Sequence, residues 1–358
     1  MFKKISNKIK SKKSQIERDE LKVPSGNLLG ESDELKVKNK NFQHAVFVHI
    51  PKTAGTSFRN ALENNFPVIK DYGSNSDVTN SIVKEFVYGE HSNMCEFYDW
   101  FKDNGQILSG HYPLMKYVNF APASSLLTFI REPLSQVISH YNHFKNNYSY
   151  ENKFEDFVKN PQFRNLQTRM LSGIPIGLIG HIGITKYYNQ SLELINASLG
   201  TDLPVLNSNK SVKQVVSESS ISEQQLQMVK NHNKRDVELY KHCLWLHEQR
   251  YKLFTENKPW VFGYANINPT NILHGVAFYD DSDAAVELSI VIDDKVVANV
   301  KAEHLHHGHG GLIFPRHRYV AYNFRLNDLD DDVFIDKAIN VVVKNTGQQV
   351  NFNHLKVM

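Results

Sequence analysis

Residues 45–58 read Ala-Val-Phe-Val-His-Ile-Pro-Lys-Thr-Ala-Gly-Thr-Ser-Phe. A short apolar run gives way to Pro51 and Gly55, then to hydroxyl residues and Phe58, the pattern of a buried strand, a tight loop and the start of a helix. Such a loop traps anions. Free backbone N–H groups at the helix start point outward, and the helix dipole adds partial positive charge. Gly55 lets the backbone approach a ligand, Thr53, Thr56 and Ser57 supply hydroxyls, and Lys52 supplies a full charge. The candidate anion-binding residues are therefore Lys52, Thr53, Ala54, Gly55, Thr56 and Ser57. A Walker A loop places its lysine directly after its second glycine. Here Lys52 precedes Gly55 and no glycine opens the loop, which disfavours ATP or GTP hydrolysis.

Beyond this stretch, apolar strands alternate with amphipathic helices, which predicts an α/β class with a parallel sheet covered by helices. Strands are expected at 45–50, 106–110 and 126–130, with a first helix from near Thr56. A second helix follows Arg131, with Pro133 in its first turn and Leu134, Val137, Ile138, Tyr141 and Phe144 on one face. Further helices are expected at about 185–199 and 222–256, the latter opened by Ser222 and Gln225 at capping-box spacing. After Pro269 the period becomes two, as in Val286, Leu288, Ile290 and Ile292, followed by the turn Asp293-Asp294-Lys295. Strands at 296–302, 319–326, 338–344 and 349–357 complete a C-terminal β-sandwich. The chain thus divides into a polar tail (1–41), an α/β domain (42–264) and a sandwich (268–358).

At 358 residues the chain exceeds the roughly 250 residues at which single cores stop growing. Its net charge of +3 is too slight to imply a nucleic-acid partner on charge alone, and none is expected. Cys95 and Cys243 lie far apart and suggest neither a disulfide framework nor a thiolate zinc site. The first thirteen residues hold six lysines and no acid, with Phe2, Ile5 and Ile9 at helical spacing. This tail is read either as a solvated basic segment or as a peripheral contact with an anionic membrane. Polar residues follow where a signal peptide needs an apolar stretch. The longest apolar run, 173–184, holds four glycines and is shorter than the ~20 residues of a membrane span. A cytoplasmic location is expected.

A second motif, Leu127-Thr128-Phe129-Ile130-Arg131-Glu132-Pro133, is followed by Ser139-His140-Tyr141. Together with His49-Ile50-Pro51-Lys52-Thr53-Ala54-Gly55-Thr56-Ser57, it resembles the nucleotide site of the sulfotransferase family that includes the heparan sulfate 2-O- and 6-O-sulfotransferases. The resemblance implies a P-loop-like sulfotransferase fold over about residues 44–256. It also implies 3'-phosphoadenosine 5'-phosphosulfate (PAPS) as co-substrate, held at its 5' side by Lys52 to Ser57 and at its 3'-phosphate by Arg131 and Ser139. An arginine suits a phosphate because it offers two parallel charge-assisted hydrogen bonds. A third stretch, 165–171, resembles a helix near the nucleotide in the 6-O-sulfotransferases. Gln167 and Arg169 are read there as nucleotide or acceptor contacts, or as an ordinary surface.

Transfer to an alcohol needs a base near the hydroxyl and positive charge near the departing phosphate. His111 closes the strand at 106–110, where open α/β sheets bind ligands, and it resembles the family's catalytic Gly-His pair. The expected catalytic residues are His111 as base and Lys52 on the leaving phosphate, with His49 as a loop brace. Arg59 and Glu90 are read as acceptor contacts or as surface charges. His304, His306, His307 and His309 lack acidic or thiolate partners at a defined spacing, so no metal is expected. The acceptor implied is a carbohydrate or a glycolipid, and the enzyme a bacterial-style cytoplasmic relative. Two rivals remain, a nucleotide-dependent kinase and a non-catalytic carbohydrate-binding protein.

Overall fold

The apolar run at the front of the chain is the middle strand of a sheet. In the computed structural model, which describes residues 44–206 and 214–357, β1 (Ala45–Val48) leads into α1 (Gly55–Glu63) and β2 (Val68–Asp71). Next come α2 (Ser81–Tyr88), α3 (Met94–Asn104), β3 (Ile107–Gly110), β4 (Leu126–Ile130) and α4 (Pro133–Asn147). Then follow α5 (Phe154–Lys159), α6 (Leu166–Leu171), β5 (His181–Ile184), α7 (Tyr188–Leu199), α8 (Glu223–His232) and α9 (Lys234–Thr255). The tail expected at 1–41, with Phe2, Ile5 and Ile9, lies outside the described residues.

The five strands are parallel, in the order β2-β3-β1-β4-β5. Both sheet faces are covered, and the pleat sorts the side chains between them. Val46, Val48, Leu108, Leu126 and Ile130 pack with Phe97, Phe101, Met170 and Leu239 from α3, α6 and α9. Ala45, Phe47, Ile107, Leu127 and Phe129 pack instead with Phe58 and Leu62 of α1 and with Leu192 and Ile195 of α7. No helix among the described residues is long and apolar enough to cross a membrane. Cys95 and Cys243 are both free thiols, the first exposed and the second buried.

The C-terminal part holds β6 (Phe262–Ile267), β7 (Ile272–Phe278), β8 (Glu287–Ile292), β9 (Lys295–Lys301), β10 (His304–Leu305), β11 (Tyr319–Arg325), α10 (Asp331–Phe334) and β12 (Ile339–Val343). They form two sheets, β10-β11-β7-β6 and β12-β8-β9, whose pairings are antiparallel and whose inner faces share one apolar cluster. Asp293 and Asp294 both adopt positive φ, as a tight hairpin turn demands.

Three expectations need correction. The helix expected over 222–256 is two helices, broken at Asn233, whose backbone leaves helical geometry. The Asn233 side chain there accepts from the Asn165 N–H at 2.9 Å and donates to the Val229 carbonyl at 3.0 Å. The strand expected over 349–357 is absent, and only isolated bridges at Gln349 and Leu355 remain. The Asn351 side chain stands in for a ladder, accepting from Val341 N–H at 2.8 Å and donating to the Ile339 carbonyl. Finally, the boundary expected at 264 falls inside β6, and Phe262, Val276, Phe278, Leu312 and Val320 join the same apolar cluster as Val46 and Ile130.

Candidate functional site

Each parallel strand delivers the residue after its last position to one edge of the sheet. In spatial order these are Tyr72 after β2, His111 after β3, His49 after β1, Arg131 after β4 and Thr185 after β5. This is the carboxyl edge, where open α/β sheets place their ligands.

The loop between β1 and α1 alternates in hand: Lys52 has φ 67° and Ala54 φ 69°, with Thr53 between them. Alternation of this kind turns successive N–H groups toward one concavity. Holding two side-chain-bearing residues left-handed costs of order 1–3 kcal/mol each, so the surroundings must enforce it. They do so by engaging four consecutive carbonyls. Ile50 accepts from the Thr53 hydroxyl at 2.9 Å and Pro51 from the Gln136 amide at 3.0 Å. Lys52 accepts from Arg131 Nη1 at 3.5 Å, and Thr53 from the Thr185 hydroxyl at 2.9 Å. The Ile130 carbonyl lies at the same 2.9 Å from the Thr185 hydroxyl, whose single proton is shared between the two and ties the loop to the end of β4. With its carbonyls bound, the loop leaves its N–H groups for a ligand.

The expected anion contacts separate accordingly. The Thr53 hydroxyl turns inward as a brace, and only its backbone can face a ligand. Thr56 is exposed at the start of α1, and Ser57 is buried. Gly55 is required, because a Cβ there would lie 2.1 Å from Cδ2 of His49. Lys52 and Arg131, brought together from distant motifs, are both half-buried, and neither forms an ion pair among the described residues. Burial, then the charge of Arg131, lowers the pKa of Lys52. Burial also lowers that of Arg131, against the pull of Glu218 and Glu132. Ser139 is half-buried on α4, one turn past Gln136, and its hydroxyl has no hydrogen-bond partner among the described residues.

Both ends of the Gln167 side-chain amide are engaged. It clamps Arg131, accepting from the Arg131 N–H and donating to the Arg131 carbonyl, both at 2.9 Å. Asp236 on α9 in turn caps α6 by accepting from Gln167 N–H at 3.2 Å and from the Thr168 N–H and hydroxyl. Arg169 is exposed and donates to the Gln162 carbonyl, so the surface reading holds for it.

On the other side of β1, His111 Nδ1 lies 2.5 Å from the His49 carbonyl, and Gly110 before it admits the Asp71 carbonyl where a Cβ would collide. The His111 side chain is solvent-exposed on one side. Its neighbours still crowd the other, and that desolvation is the leading cause of its lowered pKa. The rings of His49 and Tyr72 stand 4.7 and 4.6 Å from that of His111. His140 is buried against Phe144, Phe157 and Phe163, and burial pushes its pKa down to about 3. Arg59 pairs with Glu63 at 3.5 Å, while Glu90 is exposed.

Sequence reasoning missed Tyr72, Gln136 and Thr185, and with them Asp71. That carboxylate, 1% exposed, accepts from Lys116 Nζ and Tyr117 at 2.7 Å, from Tyr88 at 2.8 Å and from Gly73 N–H. Of the histidines at 304–309, His304 contacts Asn323, His306 packs on Phe314 and lies 5.3 Å from the His309 ring, and His309 reaches the Tyr264 hydroxyl. Among models of known protein families none matches this sequence, and no curated protein matches it.

Proposed function

We propose that the chain is a PAPS-dependent O-sulfotransferase acting on a hydroxyl of a carbohydrate or glycolipid. The observation that carries this reading is the meeting of Lys52 and Arg131, two cations without an ion-pair partner among the described residues, beside a loop whose carbonyls are all turned away. That donor set suits a ligand with two separate anionic groups. The loop N–H groups and Lys52 fit a phosphosulfate, and the Arg131 fork, with Ser139 along α4, fits a 3'-phosphate.

When bound, PAPS supplies a sulfuryl group activated by a phosphate leaving group. The residues then divide the work by position. Lys52, in a partly desolvated loop, opposes negative charge more strongly than it would in water. His111 donates Nδ1–H to the His49 carbonyl, which leaves the Nε2 lone pair as base for the acceptor proton. No Walker A glycine pattern supports the kinase alternative.

Calorimetry with adenosine 3',5'-bisphosphate and with ATP separates these readings. Binding of the bisphosphate in preference to ATP is expected, and the reverse preference overturns the proposal. Transfer of radiolabelled sulfuryl from PAPS to a panel of glycans then identifies the acceptor.

A further inference from the structure

His49 has so far served only through its backbone carbonyl, yet its ring is held as tightly as any in the site. The residue is 5% exposed, and Nδ1 lies 2.7 Å from the Tyr72 hydroxyl. That hydroxyl oxygen accepts in turn from Arg59 Nη1 at 3.5 Å, with the guanidinium carbon 5.7 Å from the centre of the Tyr72 ring. The opposite edge of the imidazole lies against Gly55, the first residue of α1. A Cβ at that position would sit 2.1 Å from Cδ2 and 2.5 Å from Nε2. No group among the described residues hydrogen-bonds Nε2.

Burial, followed by the charges of His111, Arg59 and Lys52, holds the His49 pKa well below 6.5, so at neutral pH the ring carries one N–H. Tyr72 decides which nitrogen carries it. A phenol has a single proton; Arg59 and the Ser109 hydroxyl, which also hydrogen-bonds Tyr72, donate to its oxygen, and that leaves the phenol proton for Nδ1. The ring hydrogen is then on Nε2, beside Gly55 at the start of α1.

We propose that His49 presents Nε2–H to the anion held at the 51–57 loop, and that Tyr72, by donating its hydroxyl proton to Nδ1, is the positioning residue that sets this tautomer. The inference rests on the proposed nucleotide site for the identity of the anion, but not for the tautomer. Arg59, Tyr72 and His49 form a relay that ends in one more donor at the loop, supplementing Lys52 without adding charge. The requirement for Gly55 follows from it, since any side chain there would displace the ring.

Three measurements test this on the full chain. The tautomer is read by long-range ¹H–¹⁵N correlation at His49: Nε2–H is expected in the native protein, and a mixture with Nδ1–H in Tyr72→Phe, which keeps the ring packed on His111. Affinity for adenosine 3',5'-bisphosphate and for inorganic pyrophosphate is measured by calorimetry in His49→Gln and His49→Asn, with thermal unfolding as a check on folding. A glutamine places an amide N–H near the Nε2 position and should retain affinity within about threefold. An asparagine reaches only the Nδ1 position and should lose about tenfold or more, the loss expected for one hydrogen bond to a charged group. An Nδ1–H tautomer in the native protein, or equal affinities in the two variants, overturns the inference. Pyrophosphate binding with the expected pattern, without binding of the bisphosphate, removes the nucleotide reading and leaves the inference standing. Absence of any anion binding overturns both.

Discussion

The Nδ1 hydrogen of His111 is donated to the backbone carbonyl of His49 across 2.5 Å. A carbonyl can only accept, so the tautomer of His111 is determined and its Nε2 carries the lone pair. The same peptide that leads into the anion loop thus orients the expected base.

His111→Ala should therefore lower turnover by roughly 10²–10⁴, the worth of a positioned general base, while affinity for adenosine 3',5'-bisphosphate stays near that of the native protein. A base must be unprotonated, so activity rises with pH through the His111 pKa. Burial, Arg59 and His143 lower that pKa below 6.5, while the bond to the His49 carbonyl opposes them. The acidic limb of kcat/KM should lie below pH 6.5 and shift upward in Arg59→Ala, which removes one lowering charge. A limb that persists in His111→Ala would assign it to another group.

Gln167→Ala should weaken the site from behind. Gln167 is 1% exposed and satisfies both backbone groups of Arg131, so its removal leaves partly buried polar atoms unpaired at about 1–3 kcal/mol each. Thermal unfolding should come earlier, and affinity should fall more for adenosine 3',5'-bisphosphate than for adenosine 5'-phosphosulfate, because Arg131 is the proposed contact of the 3'-phosphate. Gln167→Glu keeps the acceptor but loses the donor and should fall between. Arg169→Ala, on the exposed side of the same helix, should change neither measurement.

How much of this was legible depends on where each partner sits. β1, β3 and β4 are short buried strands with clear boundaries, and they carried His49, His111 and Arg131 into view. β2 is Val-Ile-Lys-Asp, and its last residue is buried among polar partners, so the apolar pattern breaks and Tyr72 behind it goes unseen. β5 is His-Ile-Gly-Ile within a glycine-rich run, which concealed Thr185. The roles of Gln136 and Gln167 were unreadable for another reason. Their partners are backbone groups 85 and 36 residues away, and no local pattern marks a side chain that bonds to distant peptide groups.

Asp71 supplies a pH test of stability. Burial pushes its carboxyl pKa up, but the hydrogen bonds from Lys116, Tyr117, Gly73 and Tyr88 outweigh burial, and the net pKa lies below 3.8. A carboxylate depressed in the folded state contributes stability above its unfolded pKa, and that contribution is lost as pH falls through the folded value. Asp236, raised by burial, acts in the opposite sense, so the native protein and Asp71→Asn must be compared. At neutral pH the variant should be less stable by about 3 kcal/mol, the cost of breaking a buried pair. The gap should close below pH 4, measured as unfolding temperature against pH.

The last prediction concerns the join between the parallel sheet and the C-terminal strands. Phe262 stacks on Phe278 at 5.4 Å, and Phe278 meets Phe314 edge-on at 5.7 Å. All three belong to the apolar cluster that contains Val46, Val48 and Ile130 beneath the anion loop. Arg250 of α9 lies 5.2 Å from the Phe262 ring, and Gln249 beside it accepts from the Gln349 N–H at 2.9 Å, so polar contacts cross the join as well. A chain ending at Tyr264 would cut β6 and remove β7, its neighbour in that sheet. It should fail to fold, rather than retain the nucleotide affinity expected of a free-standing α/β domain. Phe278→Ala in the full chain should cost about 3–5 kcal/mol, the usual loss for emptying a buried aromatic site. The decisive measurement is urea unfolding of the full chain followed by two probes, anion binding at the carboxyl edge and fluorescence from a label on β9. Coincident transitions, shifted together in Phe278→Ala, are expected of one shared core. Separate transitions, or a monomeric, folded chain ending at Tyr264 that binds adenosine 3',5'-bisphosphate, would show that the parallel sheet closes its core without the C-terminal strands.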